Sequence, residues 1–211
     1  MYLLLTLSFA LLATTLLYMR LGNAHDFRTR AQQAADASAL AAAGQAADNA
    51  ARQLSSLNLP GALYNPAAAR ERAENYAIRN GASLEDIRAS DNGTGRTGNI
   101  VRVEVSTQQC QRELEPDEER HWNDTLCDGT ESEDPEQKDR PLHFGNADAI
   151  AQVDLPECGY IFDPDPESFR IIGIRCDGEV IQSFVHARNM IDVSLVGKEG
   201  DYIYKPSSWN E

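Results

Sequence analysis

The chain has 211 residues, with 19 Lys and Arg against 33 Asp and Glu, and a net charge of -14 at pH 7. A nucleic-acid-binding surface needs clustered Lys and Arg, so this balance argues against nucleic acid as a partner. It argues equally against a protein that lies on anionic lipid headgroups. The length allows one ordinary domain with an appendage, or two small domains.

The N-terminus is apolar. Tyr2–Met19 contains no charged residue, and Arg20 ends the segment. Such a segment is about long enough to cross the bilayer core as a helix, so it predicts a membrane anchor, with or without packing against copies of itself. A cleavable signal peptide is the third alternative, but the basic residues that should precede its apolar part are missing. The residues predicted to form the assembly core are Tyr2, Leu3, Leu4, Leu5, Leu7, Phe9, Leu11, Leu12, Leu16 and Leu17.

An alanine-rich segment, Arg28–Gln53, follows directly. Alanine is the best helix former, and no proline occurs before Pro60, so we expect a nearly continuous helix from about residue 2 to about residue 57. A domain of ~150 residues should not cover so long a helix. We therefore expect its small side chains to let sister helices approach closely, the alternative being a solvated spacer. The residues predicted for this stem packing are Ala31, Ala35, Ala39, Ala42 and Ala46.

The remainder, residues 62–211, predicts a separate α+β head beyond the helix of residues 1–58. Asn65-Pro66 should begin a helix that ends at Gly81. Asp177-Gly178 is typical of a hairpin turn. The predicted buried face of the helix contains Ala73, Tyr76 and Ile78, and the predicted strands are IVRVEV, AIAQVDL, FRIIGIRC, EVIQSFVHA and MIDVSLVG.

Four cysteines lie in this C-terminal part, and none belongs to a CxxC pair or to a zinc-type spacing with histidine. An even number of isolated cysteines predicts two disulfides in an oxidising compartment. The sequence leaves the pairing open, and free buried thiols are the alternative. The overall fold prediction is α+β: a long N-terminal α-helix, hydrophobic and then alanine-rich, carries a small disulfide-stapled head with an antiparallel sheet. The cysteines are Cys110, Cys127, Cys158 and Cys176.

Three motifs in the first half of the chain carry a family resemblance. RAQQAADASALAAA, from Arg30, follows the apolar segment; RERAENYAIRNGA, from Arg70, precedes the strand NIVRVEVS, from Asn99. This order resembles TadE/TadG-like proteins of the Flp or Tad pilus type. The resemblance implies a pilin-like protein whose N-terminal helix lies in the membrane before assembly and in the filament core afterwards. One departure is Leu5, since type IV pilins usually carry Glu at the fifth mature position.

Acidic residues between 112 and 140, and those in FDPDPES from Phe162, raise the alternative of a calcium site, although the EF-hand spacing is not met. A solvated acidic loop is the simpler interpretation. We find no GxSxG, HExxH or phosphate-binding glycine motif, so we expect no enzyme and no catalytic residues. The calcium candidates are Asp124, Asp128, Glu131, Asp163 and Asp165.

The leading functional expectation is a structural subunit of an extracellular filament at the cell surface. Its partners would be copies of itself, the membrane before assembly and the pilus assembly machinery. The first alternative is a membrane-anchored minor pilin or accessory protein of a Tad-type pilus or secretion machine. The second is an anchored module that binds calcium or a receptor, with calcium as the one cofactor considered.

Overall fold

The structure is a computed structural model that describes residues 2–112, 127, 142–165 and 170–206; among the side chains before Phe27, it describes those of Leu7, Leu11, Leu12 and Thr14. It confirms an α+β fold with an N-terminal helix, antiparallel sheets and two disulfides. The helices are α1 (Tyr2–Ser55), α2 (Pro66–Arg79) and α3 (Phe184–Asn189). The strands are β1 (Ala82–Asp91), β2 (Ile100–Arg112), β3 (Leu142–Asp154), β4 (Cys158–Phe162), β5 (Ile171–Cys176), β6 (Glu179–Val180), β7 (Asp192–Val196) and β8 (Tyr202–Ile203).

The larger sheet has five strands in the order β7-β3-β2-β1-β8, and every described pairing is antiparallel. Side chains alternate between its two faces, as the pleat requires. On β2, Val101, Val103 and Val105 are buried against the helices. The intervening Arg102 and Glu104 belong to the opposite, polar face, which sequence alternation predicted.

The helix α2 follows the predicted signals at both ends. The Asn65 side chain accepts a hydrogen bond from the Ala68 amide at 3.2 Å, and proline occupies the first turn. Gly81 has a φ of 72°, the left-handed conformation that glycine accommodates after a helix. The predicted buried face is wrong in part, because Tyr76 and Ile78 are 45% and 52% exposed. The face that packs inward consists of alanines at helical spacing, Ala69, Ala73 and Ala77.

The smaller sheet, in the order β4-β5-β6, was not anticipated as a separate unit. Its β5–β6 turn is the predicted Asp177-Gly178 hairpin, with positive φ at both residues. The predicted strand EVIQSFVHA is wrong beyond Val180. Ser183 accepts a hydrogen bond from the His186 amide at 3.2 Å, and this N-cap begins α3 instead.

The connection from β7 to β8 runs between opposite edges of the larger sheet. Within it, Glu199 contacts Arg88 of β1 at 2.6 Å and Arg102 of β2 at 3.5 Å, both on the polar face. Gly200 then packs on the backbone of Asp91, where a β-carbon would lie 2.5 Å from the carbonyl carbon. The C-terminal segment therefore crosses the polar face of the sheet and is held there by these ion pairs.

Candidate assembly surface

The alanine-rich half of α1 is buried in the core of its own chain. This contradicts the stem-packing prediction, in which these alanines met sister helices. The physical reason is the size of alanine, which lets α1 approach its own sheet as readily as a second helix. Each of the five predicted stem residues has zero exposure: Ala31, Ala35, Ala39, Ala42 and Ala46.

The buried stripe continues along α1 at the spacing of one helix face and ends at Leu54. Its partners in the same core include the inward-facing valines of β2, the alanines of α2 and Ala187 of α3. One face of the helix is thus covered along residues 31–54, and the expectation that a domain of this size could not cover the helix is wrong for this half. The buried residues of the stripe are Ala31, Ala34, Ala35, Ser38, Ala39, Ala42, Ala43, Gln45, Ala46, Ala47, Ala50, Ala51 and Leu54.

Two ion pairs reinforce this docking from the rim of the interface. The Asp48 carboxylate on α1 lies 2.8 Å from the Arg72 guanidinium on α2 and 3.0 Å from the Arg188 guanidinium on α3. Arg188 also donates to the Ile191 carbonyl oxygen at 3.1 Å, which fixes its orientation. Asp48 therefore joins three helices through one carboxylate. No local sequence pattern indicates this role of Asp48, because its partners lie 24 and 140 residues away.

Before Phe27 the described side chains of α1 are exposed instead. Leu7, Leu11 and Leu12 are 56%, 60% and 60% exposed. Positions 7 and 11 are one helical turn apart, so they share a face of α1. The side chains of the other predicted assembly-core residues lie outside the described set: Tyr2, Leu3, Leu4, Leu5, Phe9, Leu16 and Leu17.

In the part of the chain that the structure describes, no helix contains a stretch long and apolar enough to cross a membrane.

Each disulfide joins two cysteines that follow one another in the order of cysteines along the chain. Cys110 pairs with Cys127 and Cys158 pairs with Cys176, with Cα–Cα distances of 4.9 Å and 4.0 Å. The second bridge joins directly opposed residues of β4 and β5, and Cys176 is fully buried. This confirms the prediction of two disulfides and resolves the pairing that the sequence left open.

The calcium candidates receive no support from the described residues. The Asp163 carboxylate accepts a hydrogen bond from the Asp165 amide at 3.1 Å, which is an ordinary turn contact. Among the described residues, no cluster of three or more His, Cys, Asp or Glu side chains could hold a metal ion. Asp124, Asp128 and Glu131 lie outside the described residues.

One buried carboxylate was missed. Asp91 is 1% exposed and accepts backbone hydrogen bonds from Gly93 and Gly95 at 2.8 Å and from Thr97 at 3.0 Å. Burial opposes its ionisation, but these amide donors outweigh burial and lower the pKa of Asp91 to about 2. The loop from residue 92 to 99 is therefore ordered around one carboxylate. An Asp immediately before a glycine-rich loop was the available signal.

Compared with protein-family models, with curated proteins and with solved structures, the chain matches none of them.

Proposed function

We propose that the chain is a pilin-like structural subunit that polymerises through the apolar N-terminal part of α1 into an extracellular filament. The observation that carries this proposal is the contrast within α1. Residues 31–54 bury one face in the chain's own head, whereas Leu7, Leu11 and Leu12 are more than half exposed. Exposed leucines on a segment without charged residues are costly in water, so they favour burial in lipid or against other subunits.

The proposed subunit has one long helix, hydrophobic in Tyr2–Met19 and alanine-rich after Arg28. The first part would lie in the membrane before assembly and against sister helices afterwards. The second part positions the head by docking on the sheet. Leucine and small side chains suit both lipid and contacts with other helices. This explains why the apolar segment contains these residues and no ion-pairing group. The resemblance of Arg30–Ala43 to TadE/TadG-like proteins supports the same function.

A membrane-anchored minor pilin or accessory protein is the second candidate, and one observation favours it. Because the alanine face is occupied by the head, contacts between copies through α1 are limited to its exposed residues. In a filament, the head would therefore have to supply contact area that the sequence analysis assigned to the alanine face of α1. Copy number separates this candidate from the first, since an accessory protein forms few contacts with its own copies.

The experiment is to shear the surface of cells that express the chain and to image the released material with a label against the head. Filaments labelled along their whole length support a major subunit. Label at filament tips alone supports the minor pilin. A chain that stays wholly in the membrane fraction contradicts the filament and favours the anchored accessory protein.

A further inference from the structure

A pocket of about 350 Å³ lies where the docked half of α1 begins. Three elements meet there. Arg30 comes from α1, Arg79 and Asn80 come from the end of α2, and Gln108 and Gln109 come from β2. Phe27 also lines the pocket. The pocket therefore lies at the end of the head from which the N-terminal part of α1 extends.

The described lining of the pocket is basic in a strongly negative protein. Among the residues that the structure describes, the lining contains two arginines and no aspartate or glutamate, whereas the whole chain has a net charge of -14. Arg30 donates a hydrogen bond to the Gln109 side-chain oxygen at 3.4 Å. The Arg79 guanidinium lies 5.8 Å from the centre of the Tyr76 ring and, within the described residues, forms no ion pair.

Two backbone oxygens of the pocket lining already have donors within the chain. The Gly81 carbonyl accepts from the Gln108 amide at 2.9 Å, and the Gln109 carbonyl accepts from Thr107 Oγ1 at 2.7 Å. The side-chain amide of Asn80 caps the Tyr76 carbonyl at the end of α2, at 2.7 Å. These bonds reduce the repulsion that these carbonyl oxygens would exert on an anion, and the two guanidinium groups are the charged donors of the described lining.

We propose that this pocket binds a phosphate group, held by Arg30 and Arg79. A guanidinium presents a planar set of donors that matches phosphate oxygens, and two of them on different elements can hold one phosphate from two sides. The site follows from the pocket alone and does not depend on filament assembly.

The phosphate could belong to a lipid headgroup or to a soluble molecule. Arg30 follows Met19 by eleven residues, which is about 16 Å along a helix. The headgroup layer on each side of a bilayer is only about 5–8 Å thick. A lipid phosphate therefore reaches the pocket if α1 is tilted or the head lies against the bilayer, whereas a soluble phosphate group reaches it in any orientation.

The test is titration of the full chain with inorganic phosphate in uncharged detergent micelles, followed by calorimetry and by thermal unfolding. Arg30→Gln and Arg79→Gln each remove one pocket cation. Arg70→Gln removes one exposed cation from α2 outside the pocket lining and is the matched control. We expect phosphate to bind the parent chain and the control alike, and each pocket variant to bind about tenfold more weakly.

Absence of phosphate binding by the parent chain would overturn the proposal. So would equal weakening in all three variants, because that result indicates general attraction to positive charge. A second arm repeats the titration in phosphatidylglycerol vesicles. Loss of the inorganic phosphate signal there identifies the lipid as the occupant of the site, and retention of the signal identifies a soluble phosphate group. Because neither arm requires assembly, a failed filament experiment leaves this result unaffected.

Discussion

Gly145 of β3 lies directly against the carbonyl oxygen of Phe27 on α1: a β-carbon at Gly145 would stand 2.8 Å from that oxygen. No ordinary side chain fits such a gap without movement of the helix backbone. The contact marks the point at which α1 meets the sheet, four residues before the first buried alanine, Ala31. The part of α1 that follows Phe27 therefore belongs to the head.

Gly145→Ala should destabilise the docking of α1, because the added methyl group meets backbone rather than a side chain that can rotate. We expect a loss of about 1–3 kcal/mol in the free energy of unfolding. The matched control is Gly44→Ala, in the middle of α1, where an added β-carbon meets nothing within 4 Å. That control should gain about 0.5–1 kcal/mol, since alanine favours the helix. Urea denaturation measures both, and equal effects in the two variants would contradict the close approach.

Ala42→Leu should destabilise the isolated subunit, not only its assembly. Ala42 has zero exposure within its own chain, so the larger side chain overpacks the core at a cost of about 1–3 kcal/mol. Gln33→Leu places the same side chain on an exposed position of α1 and should leave unfolding nearly unchanged. Thermal unfolding of the full chain in detergent reports the difference. Normal stability of Ala42→Leu together with lost assembly would restore the original prediction of sister-helix packing.

Asp91→Asn should loosen the loop around this carboxylate. The amide nitrogen of asparagine cannot accept the backbone N–H donors that one Asp91 oxygen now accepts. The lowered pKa, about 2 against an ordinary value of 3.8, means that ionised Asp91 contributes about 2 kcal/mol of stability above pH 4. This contribution is lost as pH falls from about 4 to about 2.

The unfolding free energies of the parent chain and the Asp91→Asn variant should accordingly differ at pH 7 and converge towards pH 2. Asp86→Asn, which changes an exposed residue on the same strand, provides the control. A difference between the parent chain and Asp91→Asn that stays constant from pH 7 to pH 2 would show that the carboxylate charge does not order the loop.

The two disulfides close loops of nearly equal length, with sequence separations of 17 and 18. Chain entropy alone therefore assigns about 3 kcal/mol to each. Cys176 and Cys110 are both fully buried, so replacing either cystine by a pair of serines should cost more than this entropic amount, because each replacement also buries a polar hydroxyl group. Urea denaturation of the two double-serine variants measures both losses. A loss of about 3 kcal/mol or less in both variants would rule out this contribution.

The sequence predicted best those features that depend on neighbouring residues. The Asn65 cap, the turn at Asp177 and the alternation of β2 each follow from local chemistry, and the structure confirms them. The strand β1 was not predicted, because a bulge between Leu84 and Asp86 interrupts its alternation. The two ion pairs of Asp48 could not be predicted from the sequence, since they depend on which helices pack together.

The surface that packs against the alanine face of α1 could not be predicted from the sequence, for a different reason. A row of alanines permits close approach by any regular surface, and Ala39 suits a sister helix as well as a sheet of the same chain. Only the three-dimensional structure distinguishes the two, and it places the sheet there. The described leucines before Phe27 are more than half exposed, and in the proposed function they form the contacts between copies.

The central claim is that the segment around Leu11 contacts other copies in a surface filament. The most direct measurement is photo-cross-linking in sheared surface material, with a photoreactive residue at position 11 and a matched control at the exposed Gln33 on the docked half of α1. We predict a covalent ladder extending beyond the dimer from position 11. Monomer alone from position 11, with the photoreactive chain present in the sheared material, would contradict the account.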